Sequence, residues 1–202
     1  MPKSWLSRSR AWISLVLLSP IAILVGLSAP HVTAGSLQEI GFEAVAWALF
    51  VAGAMSRWWA TLYIGGRKGD GLVCDGPYSV CRNPLYLGTF LIATSIPAMV
   101  QSATFALALV LVSWLYLTVT VRDEERRLLN RYGDEFVAYC NRVPMFFPRF
   151  HLYHSPESTD VRVEGLRAEL MRSLRWVWVP LLCQVLIALR SQPWWPHCLH
   201  LP

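Results

Sequence analysis

Long apolar runs alternate with short polar stretches along the chain, a pattern typical of a protein that crosses a membrane several times. A helix needs about 20 mostly apolar residues to cross the hydrocarbon of a bilayer. The third and fourth runs are separated only by the turn at Gln101 and Ser102, which predicts a helical hairpin. The predicted spans are residues 11–29, 37–60, 85–100, 103–121 and the shorter run 176–189.

The composition supports a membrane environment. The chain of 202 residues is 54% hydrophobic and 15% charged, whereas soluble domains carry about 25% charged residues. A disordered chain, a collagen-like chain and a disulfide-stapled secreted module are therefore excluded. The five cysteines show no metal-ligand spacing, so no metal site is predicted. The expected fold class is an all-α integral membrane protein with about five transmembrane helices.

The basic residues predict the orientation of these helices. If the N-terminus is cytoplasmic, seventeen of the eighteen lysines and arginines lie on the inner side, and only Arg190 lies outside. This distribution explains the net charge of +5 without nucleic acid as a partner. The first run is long for a signal peptide and lacks a clear cleavage site, so we expect it to be retained. The prediction is a multi-pass protein of a bacterial inner membrane, with the bilayer as its partner.

Two polar stretches on the predicted cytoplasmic side carry the candidate chemistry. Residues 65–87 are glycine-rich in their first half, and Pro84 within them is a favourable first residue for the helix that follows. Residues 122–150 begin with adjacent acidic and basic side chains, apolar side chains then recur at helical spacing, and Gly133 is expected to end that helix. A flexible connector and an amphipathic juxtamembrane helix with solvated charges are the alternatives to a functional site.

The two stretches contain motifs that resemble a known superfamily. The first motif is Gly76-Pro77-Tyr78 followed by Arg82-Asn83-Pro84-Leu85-Tyr86-Leu87-Gly88. The second is Glu124-Glu125-x-x-Leu128, then Tyr132-Gly133, Tyr139, Arg142-Val143-Pro144 and Pro148. In this order, and separated by a helical hairpin, they resemble the signatures of the isoprenylcysteine carboxyl methyltransferase and phospholipid methyltransferase superfamily. The resemblance covers residues 60–150.

The resemblance implies methyl transfer from S-adenosylmethionine to a lipophilic acceptor, at a cytosolic site formed by both motifs. The chain has no strand–GxGxxG–helix unit, so a soluble methyltransferase fold is not expected. Carboxylates suit this cofactor because they accept hydrogen bonds from its ammonium group and its ribose hydroxyls. The cofactor-binding residues implied by the resemblance are Arg82, Asn83, Pro84, Tyr86, Gly88, Glu124 and Glu125.

Three further residues are candidates for the acceptor site. Arg142 is the catalytic candidate, because a guanidinium grips a carboxylate or a phosphate bidentately; contact with lipid phosphate is the alternative. Tyr139 and Phe146 are candidates for the apolar entrance, and anchoring at the bilayer surface is their alternative role. The acceptor is expected to be a prenylcysteine-type carboxylate or a phospholipid-type headgroup.

Asn83 departs from the family pattern, which most often has histidine at this position. Asparagine donates and accepts hydrogen bonds but does not titrate near neutral pH. The resemblance implies a role in contacting the cofactor rather than a role as a base, because asparagine is acceptable at this position in bacterial members of the superfamily.

Residues 1–202 are expected to form a single membrane domain. The methyltransferase core is assigned to residues 60–150, and residues 151–202 to a polar connector and an extra transmembrane helix. Two other functions stay open, an NADPH-dependent membrane reductase of the sterol-reductase kind and a non-catalytic scaffold. Two spans before the first motif fit the methyltransferase better than the reductase, and the Glu124-Glu125 pair argues against the scaffold.

Overall fold

The computed structural model describes residues 19–20, 22–28, 32, 35–65, 71–159 and 161–196, without the side chains of 115–118. The predicted first span, 11–29, lies mostly outside the described residues; within it, residues 19–20 and 22–26 are helical. No strand occurs among the elements of the described ranges, and the all-α prediction is confirmed. The helices are α1 Leu37–Ile64, α2 Pro77–Val80, α3 Pro84–Met99, α4 Ala103–Tyr132, α5 Asp134–Arg142 and α6 Val163–Arg190, and a 3-10 turn covers Phe150–Leu152.

Three of these helices, α1, α4 and α6, are long and apolar enough to cross a membrane, and α3 is a shorter apolar helix. Many of their large apolar side chains point outward: Met55 is 67% exposed, Leu107 63% and Trp178 65%. Such surfaces are unfavourable in water but suit contact with lipid tails. The protein is therefore an all-α membrane protein.

The N-terminus of α1 has a side-chain cap. The Ser36 hydroxyl accepts a hydrogen bond from the Glu39 backbone N–H at 3.2 Å, and the Glu39 carboxylate accepts one from the Gly35 N–H at 2.6 Å. This arrangement is close to a capping box, in which a hydroxyl and an acidic side chain satisfy backbone donors at a helix start. Glu39, at the edge of an apolar span, thereby stabilises the first turn.

Two helix boundaries differ from the predicted spans. Helix α4 continues past residue 121 to Tyr132, because glutamate, arginine and leucine favour helix even where hydropathy falls. Helix α6 begins at Val163 rather than near residue 176, so much of the predicted polar connector is the charged start of the last helix. The break at Gly133, between α4 and α5, lies where it was predicted.

The chain folds into two compact units. The first is formed by the described residues of Met1–Trp47, Ala93–Asp123 and Val179–Pro202. Within it, Arg190 is only 5% exposed and donates to the carbonyl oxygens of Ser28 at 3.1 Å and Val100 at 3.2 Å. The core of this unit contains Val25, Ala46, Met99, Val100, Phe105 and Cys183.

The second unit comprises the described residues of Ala48–Ile92 and Glu124–Trp178 and contains both motifs. One of its buried clusters consists of Phe136, Tyr139 and Val143, with partly buried apolar side chains packed around it. Because Phe136 and Tyr139 lie three positions apart on α5, they share one helix face and bury it. This packing holds α5 in place beside the first motif.

Candidate active site

Backbone hydrogen bonds in the second unit join the first motif to the end of the second. The Arg82 N–H donates to the Pro144 carbonyl at 2.9 Å, and the Arg149 N–H donates to the Val80 carbonyl at 3.0 Å. Each hydrogen bond pairs a backbone N–H with a backbone carbonyl oxygen, and burying either group without a partner would cost free energy. The two motifs therefore form one continuous structure, although more than sixty residues separate the paired positions.

Asn83 and Pro84 lie at the entrance to α3. Asn83 is 9% exposed, and its side-chain Nδ2 donates to the Met145 carbonyl at 3.2 Å. Pro84 is the first residue of α3, as its sequence position predicted. Asparagine thus makes a contact between the motifs at the position where the family most often has histidine.

An ion pair connects the first motif to the charged end of α4. Arg82 Nη1 lies 3.0 Å from Glu125 Oε1, and the two side chains are 15% and 20% exposed. The same Nη1 donates to the Cys140 Sγ at 2.7 Å. Because both charges are largely shielded from water, their attraction is stronger than that of an exposed pair.

A second contact runs parallel to this ion pair. The Tyr86 hydroxyl donates to Glu124 Oε2 at 2.7 Å, while the Glu124 side chain stays exposed. Arg82 and Tyr86 of the first motif thus contact the consecutive carboxylates Glu125 and Glu124 of the second motif. The structure brings together four of the predicted cofactor-binding residues: Arg82, Tyr86, Glu124 and Glu125.

Three buried polar atoms in this region have no hydrogen-bond partner among the residues that the structure describes: the Tyr78 hydroxyl, Arg82 Nε and Glu125 Oε1. Glu125 Oε1 is close to the Arg82 charge, but it accepts no hydrogen bond. Leaving donors such as the Tyr78 hydroxyl and Arg82 Nε unpaired away from water costs about 1–3 kcal/mol each, so native proteins rarely do so without a reason. A bound polar molecule would satisfy two donors and one acceptor here.

Burial keeps several reactive groups of the site protonated. It raises the pKa of the Tyr78 hydroxyl, and the nearby Glu124 carboxylate raises it further. Burial likewise raises the pKa of the Cys81 thiol and raises the pKa of Cys74 to about 11. The thiolate is the nucleophilic form of cysteine, so these thiols are inert at neutral pH.

Gly88 lies at a close crossing of α1 and α3. A Cβ atom on Gly88 would lie 2.7 Å from the Gly53 carbonyl oxygen and 2.6 Å from the Arg57 Cγ. Only glycine permits such a close approach of two helices. This packing explains the glycine, and the role in the cofactor wall stays a prediction.

The three residues predicted for the acceptor site differ from one another in how deeply they are buried. Tyr139 is 3% exposed, and its hydroxyl donates to the Tyr78 carbonyl at 2.8 Å, which favours a role in holding the motif over one at an entrance. Phe146 is half-buried, and Arg142 is exposed in the last turn of α5. The acceptor roles of all three stay predictions.

Sequence reasoning missed a buried charged network next to the first motif. Arg57, on α1, is 9% exposed; its Nε lies 2.7 Å from Glu169 Oε1, and its Nη1 donates to the Leu85 carbonyl at 3.2 Å. An arginine inside a predicted apolar span was the available signal, because ionisable residues there are rare and mostly functional. Nothing in the sequence pointed to Glu169 as its partner.

The part of the chain described by the structure contains no group of three or more histidine, cysteine, aspartate or glutamate side chains suited to hold a metal ion.

Comparisons with known proteins add an independent line of evidence. The model of a family described as phospholipid methyltransferase matches residues 31–135. The nickel-cobalt-cadmium resistance protein NccN of Alcaligenes xylosoxydans xylosoxydans is 34% identical over 203 residues, which cover 98% of this chain and 92% of that protein. No solved structure matches the chain.

Two relatives named as methyltransferases match a shorter part of the chain. The protein-S-isoprenylcysteine O-methyltransferase of Schizosaccharomyces pombe is 31% identical over 77 residues, 38% of this chain and 33% of that protein. The methanethiol S-methyltransferase 2 of Bradyrhizobium diazoefficiens is 38% identical over 73 residues, 36% of this chain and 27% of that protein. These matches confirm the resemblance found in the two motifs.

Proposed function

Because the chain belongs to the phospholipid methyltransferase family and is a membrane methyltransferase, we propose that it transfers a methyl group from S-adenosylmethionine to a lipophilic acceptor. The observation that carries this proposal is the double connection between the motifs, Arg82 with Glu125 and Tyr86 with Glu124. We assign the methyltransferase core to residues 60–150 of a single membrane domain.

The polar atoms of the site fit this donor. S-adenosylmethionine carries an ammonium group and ribose hydroxyls, which donate hydrogen bonds, and a carboxylate and ring nitrogens, which accept them. Glu124 and Glu125 can accept hydrogen bonds from the ammonium group and the ribose hydroxyls. The buried Tyr78 hydroxyl and Arg82 Nε can donate hydrogen bonds to the carboxylate and the ring nitrogens. The unpaired atoms of the site thus include both the hydrogen-bond donors and the hydrogen-bond acceptor that S-adenosylmethionine needs.

Methyl transfer requires little covalent chemistry from the protein. The bound donor supplies a sulfonium-linked methyl group that is transferred as an electrophile. The protein contributes by holding the reactants in line and by excluding water, which together lower the barrier. The raised pKa values of Tyr78 and Cys81 keep both groups neutral, so neither competes with the acceptor for the methyl group.

The acceptor is proposed to be an amphiphile with a carboxylate of the prenylcysteine type or a headgroup of the phospholipid type. Arg142 is exposed on α5, where its guanidinium can approach such a group. Relatives named as methyltransferases support methyl transfer over the NADPH-dependent reduction considered as an alternative. The distribution of basic residues supports placing both motifs on the cytoplasmic side of a bacterial inner membrane.

Removing the Tyr86 hydroxyl should lower the rate of methyl transfer by about tenfold, the effect of one lost hydrogen bond to a charged group. The variant is Tyr86→Phe, which frees Glu124 from its 2.7 Å contact. The measurement follows labelled methyl groups from S-adenosylmethionine into extracted membrane lipids and into farnesylated thiol acids.

Tyr63→Phe is the matched control, because it also removes one tyrosine hydrogen bond, the 2.8 Å contact with the Ser155 hydroxyl outside the candidate site. We expect this control to keep the wild-type rate. Equal rates for both variants would contradict the assigned site, and a wild-type protein that transfers no label to either acceptor class would contradict the proposed reaction.

A further inference from the structure

A cavity of about 60 Å³ lies in the second unit beside the buried Arg57. It is distinct from the residues of the two motifs, and α6 forms about half of its wall. Its lining includes Phe50 and Ala54 of α1, Ile92 of α3, and Arg172, Trp176 and Val177 of α6.

The charged end of this cavity has a net positive charge. Glu169 is 2% exposed and pairs with Arg57 through both carboxylate oxygens, at 2.7 and 3.1 Å. Arg172 also contacts Glu169, but its side chain is 45% exposed. One carboxylate therefore faces two guanidinium groups, and the exposed one retains N–H donors for an anion.

Helix α6 is held firmly against α1 on both sides of this charged group. The Trp58 indole N–H donates to the Ser173 hydroxyl at 2.9 Å. Where Gly65 meets Gly165, a Cβ atom on Gly165 would lie only 2.6 Å from the Gly65 Cα. Together with the Glu169 ion pair, these contacts place three residues of α6, spaced four apart, against α1. They fix the position of Arg172 relative to the cavity.

The cavity is polarised along the helices. On α1, Phe50 lies about two turns from Arg57, toward the apolar part of the helix. On α6, Val177 lies more than one turn beyond Arg172, again toward the apolar part. Charge at one end and aromatic and aliphatic walls at the other suit a molecule with an anionic group and a hydrocarbon chain.

The cavity also adjoins the proposed donor site. Arg57 donates to the Leu85 carbonyl at 3.2 Å, one residue before Tyr86. Arg57 is also close enough to Tyr78 for its charge to oppose the rise in the pKa of that hydroxyl. One buried arginine therefore borders both the cavity and the motif that contacts the donor.

We propose that α6 completes the acceptor site: the hydrocarbon part of the acceptor enters the cavity, and its anionic group pairs with Arg172 rather than with Arg142. This inference rests on the proposed methyl transfer and narrows the acceptor to an anionic amphiphile. It gives the last helix, which lies beyond the residues matched by the family model, a part in substrate choice.

The test compares two probes in phosphatidylcholine nanodiscs, N-acetyl-S-farnesyl-cysteine and its neutral carboxamide. The wild-type protein should bind the carboxylate about tenfold more tightly, the order expected for one charge-assisted hydrogen bond. Arg172→Gln should remove this preference and leave the affinity for the carboxamide unchanged. Arg175→Gln is the matched control; its guanidinium donates to the Met171 carbonyl, and the preference should persist.

A second pair of variants tests the apolar part of the cavity. Ala54→Leu fills the cavity and should weaken both probes by about tenfold, since several apolar contacts of a bound chain are lost. Ala52→Leu places the same side chain on the exposed face of α1 and should change neither affinity.

Titration of S-adenosylhomocysteine into the same samples separates the two proposals. If this product binds but Arg172→Gln keeps the tenfold preference, or Ala54→Leu leaves both probes unaffected, the acceptor site is wrong while the donor site stands. If S-adenosylhomocysteine does not bind, the proposed function itself is contradicted.

Discussion

Replacing Glu169 by leucine is expected to lower the free energy of unfolding by about 3–5 kcal/mol, the cost of leaving one partner of a buried ion pair uncompensated. Glu169 is 2% exposed, and Arg57, its partner on α1, is 9% exposed. Without the carboxylate, the Arg57 charge would stay buried between α1, α3 and α6. Thermal and denaturant unfolding of the detergent-solubilised protein measures this loss.

Two further variants make this result specific. Glu164→Leu removes an exposed carboxylate from the same helix and should change stability by less than about 0.5 kcal/mol. The double variant Arg57→Leu with Glu169→Leu should recover much of the loss, because apolar replacement of both partners removes the buried charge. A Glu169→Leu protein as stable as the wild type would contradict the ion pair.

Replacing Glu125 by glutamine is expected to weaken binding of S-adenosylhomocysteine by about 10- to 100-fold, the range for losing a hydrogen bond to a charged group. The substitution keeps the shape of the side chain but removes the charge that faces Arg82 at 3.0 Å. It also weakens the acceptor for the ammonium group of the ligand. Isothermal titration of the solubilised protein provides the measurement.

Glu135→Gln is the control for this variant, because Glu135 is an exposed carboxylate on α5, outside the proposed contacts. Its affinity should equal that of the wild type. Equal affinities of all three proteins would show that Glu125 does not contact the ligand.

Hydropathy predicted the membrane helices well and their charged ends poorly. Helices α1 and α3 lie where apolar runs predicted them, because burial in lipid requires a long apolar segment. Hydropathy did not report the charged end of α4 or the start of α6, because it reflects the surrounding solvent rather than the backbone conformation. The helix expected to end at Gly133 did include the charged end of α4. Residues 122–132 and 163–175 are charged yet helical, as their side chains allow.

In the candidate site too, the sequence identified the residues of each motif but not the contacts between residues far apart in the chain. The motifs named Arg82, Tyr86, Glu124 and Glu125, but only the fold shows how they pair across about 40 residues of sequence. Glu169 pairs with Arg57 over a separation of 112 residues, which no local pattern reports. These pairings depend on the packing of whole helices.

Tyr139 illustrates a signal that was present but given too little weight. Aromatic residues near a bilayer often serve as interfacial anchors, and this tendency gave the alternative to a role of Tyr139 at the acceptor entrance. Its spacing from Phe136 instead places both rings on one helix face, which the structure buries. Helical periodicity on α5 was the better guide.

Photolabelling with methyl-labelled S-adenosylmethionine, followed by peptide mapping, tests most directly whether the two motifs surround one donor molecule. We predict that label appears in peptides from both 76–88 and 122–142, and that excess S-adenosylhomocysteine prevents labelling of both. Specific label confined to peptides outside these two segments would contradict the site.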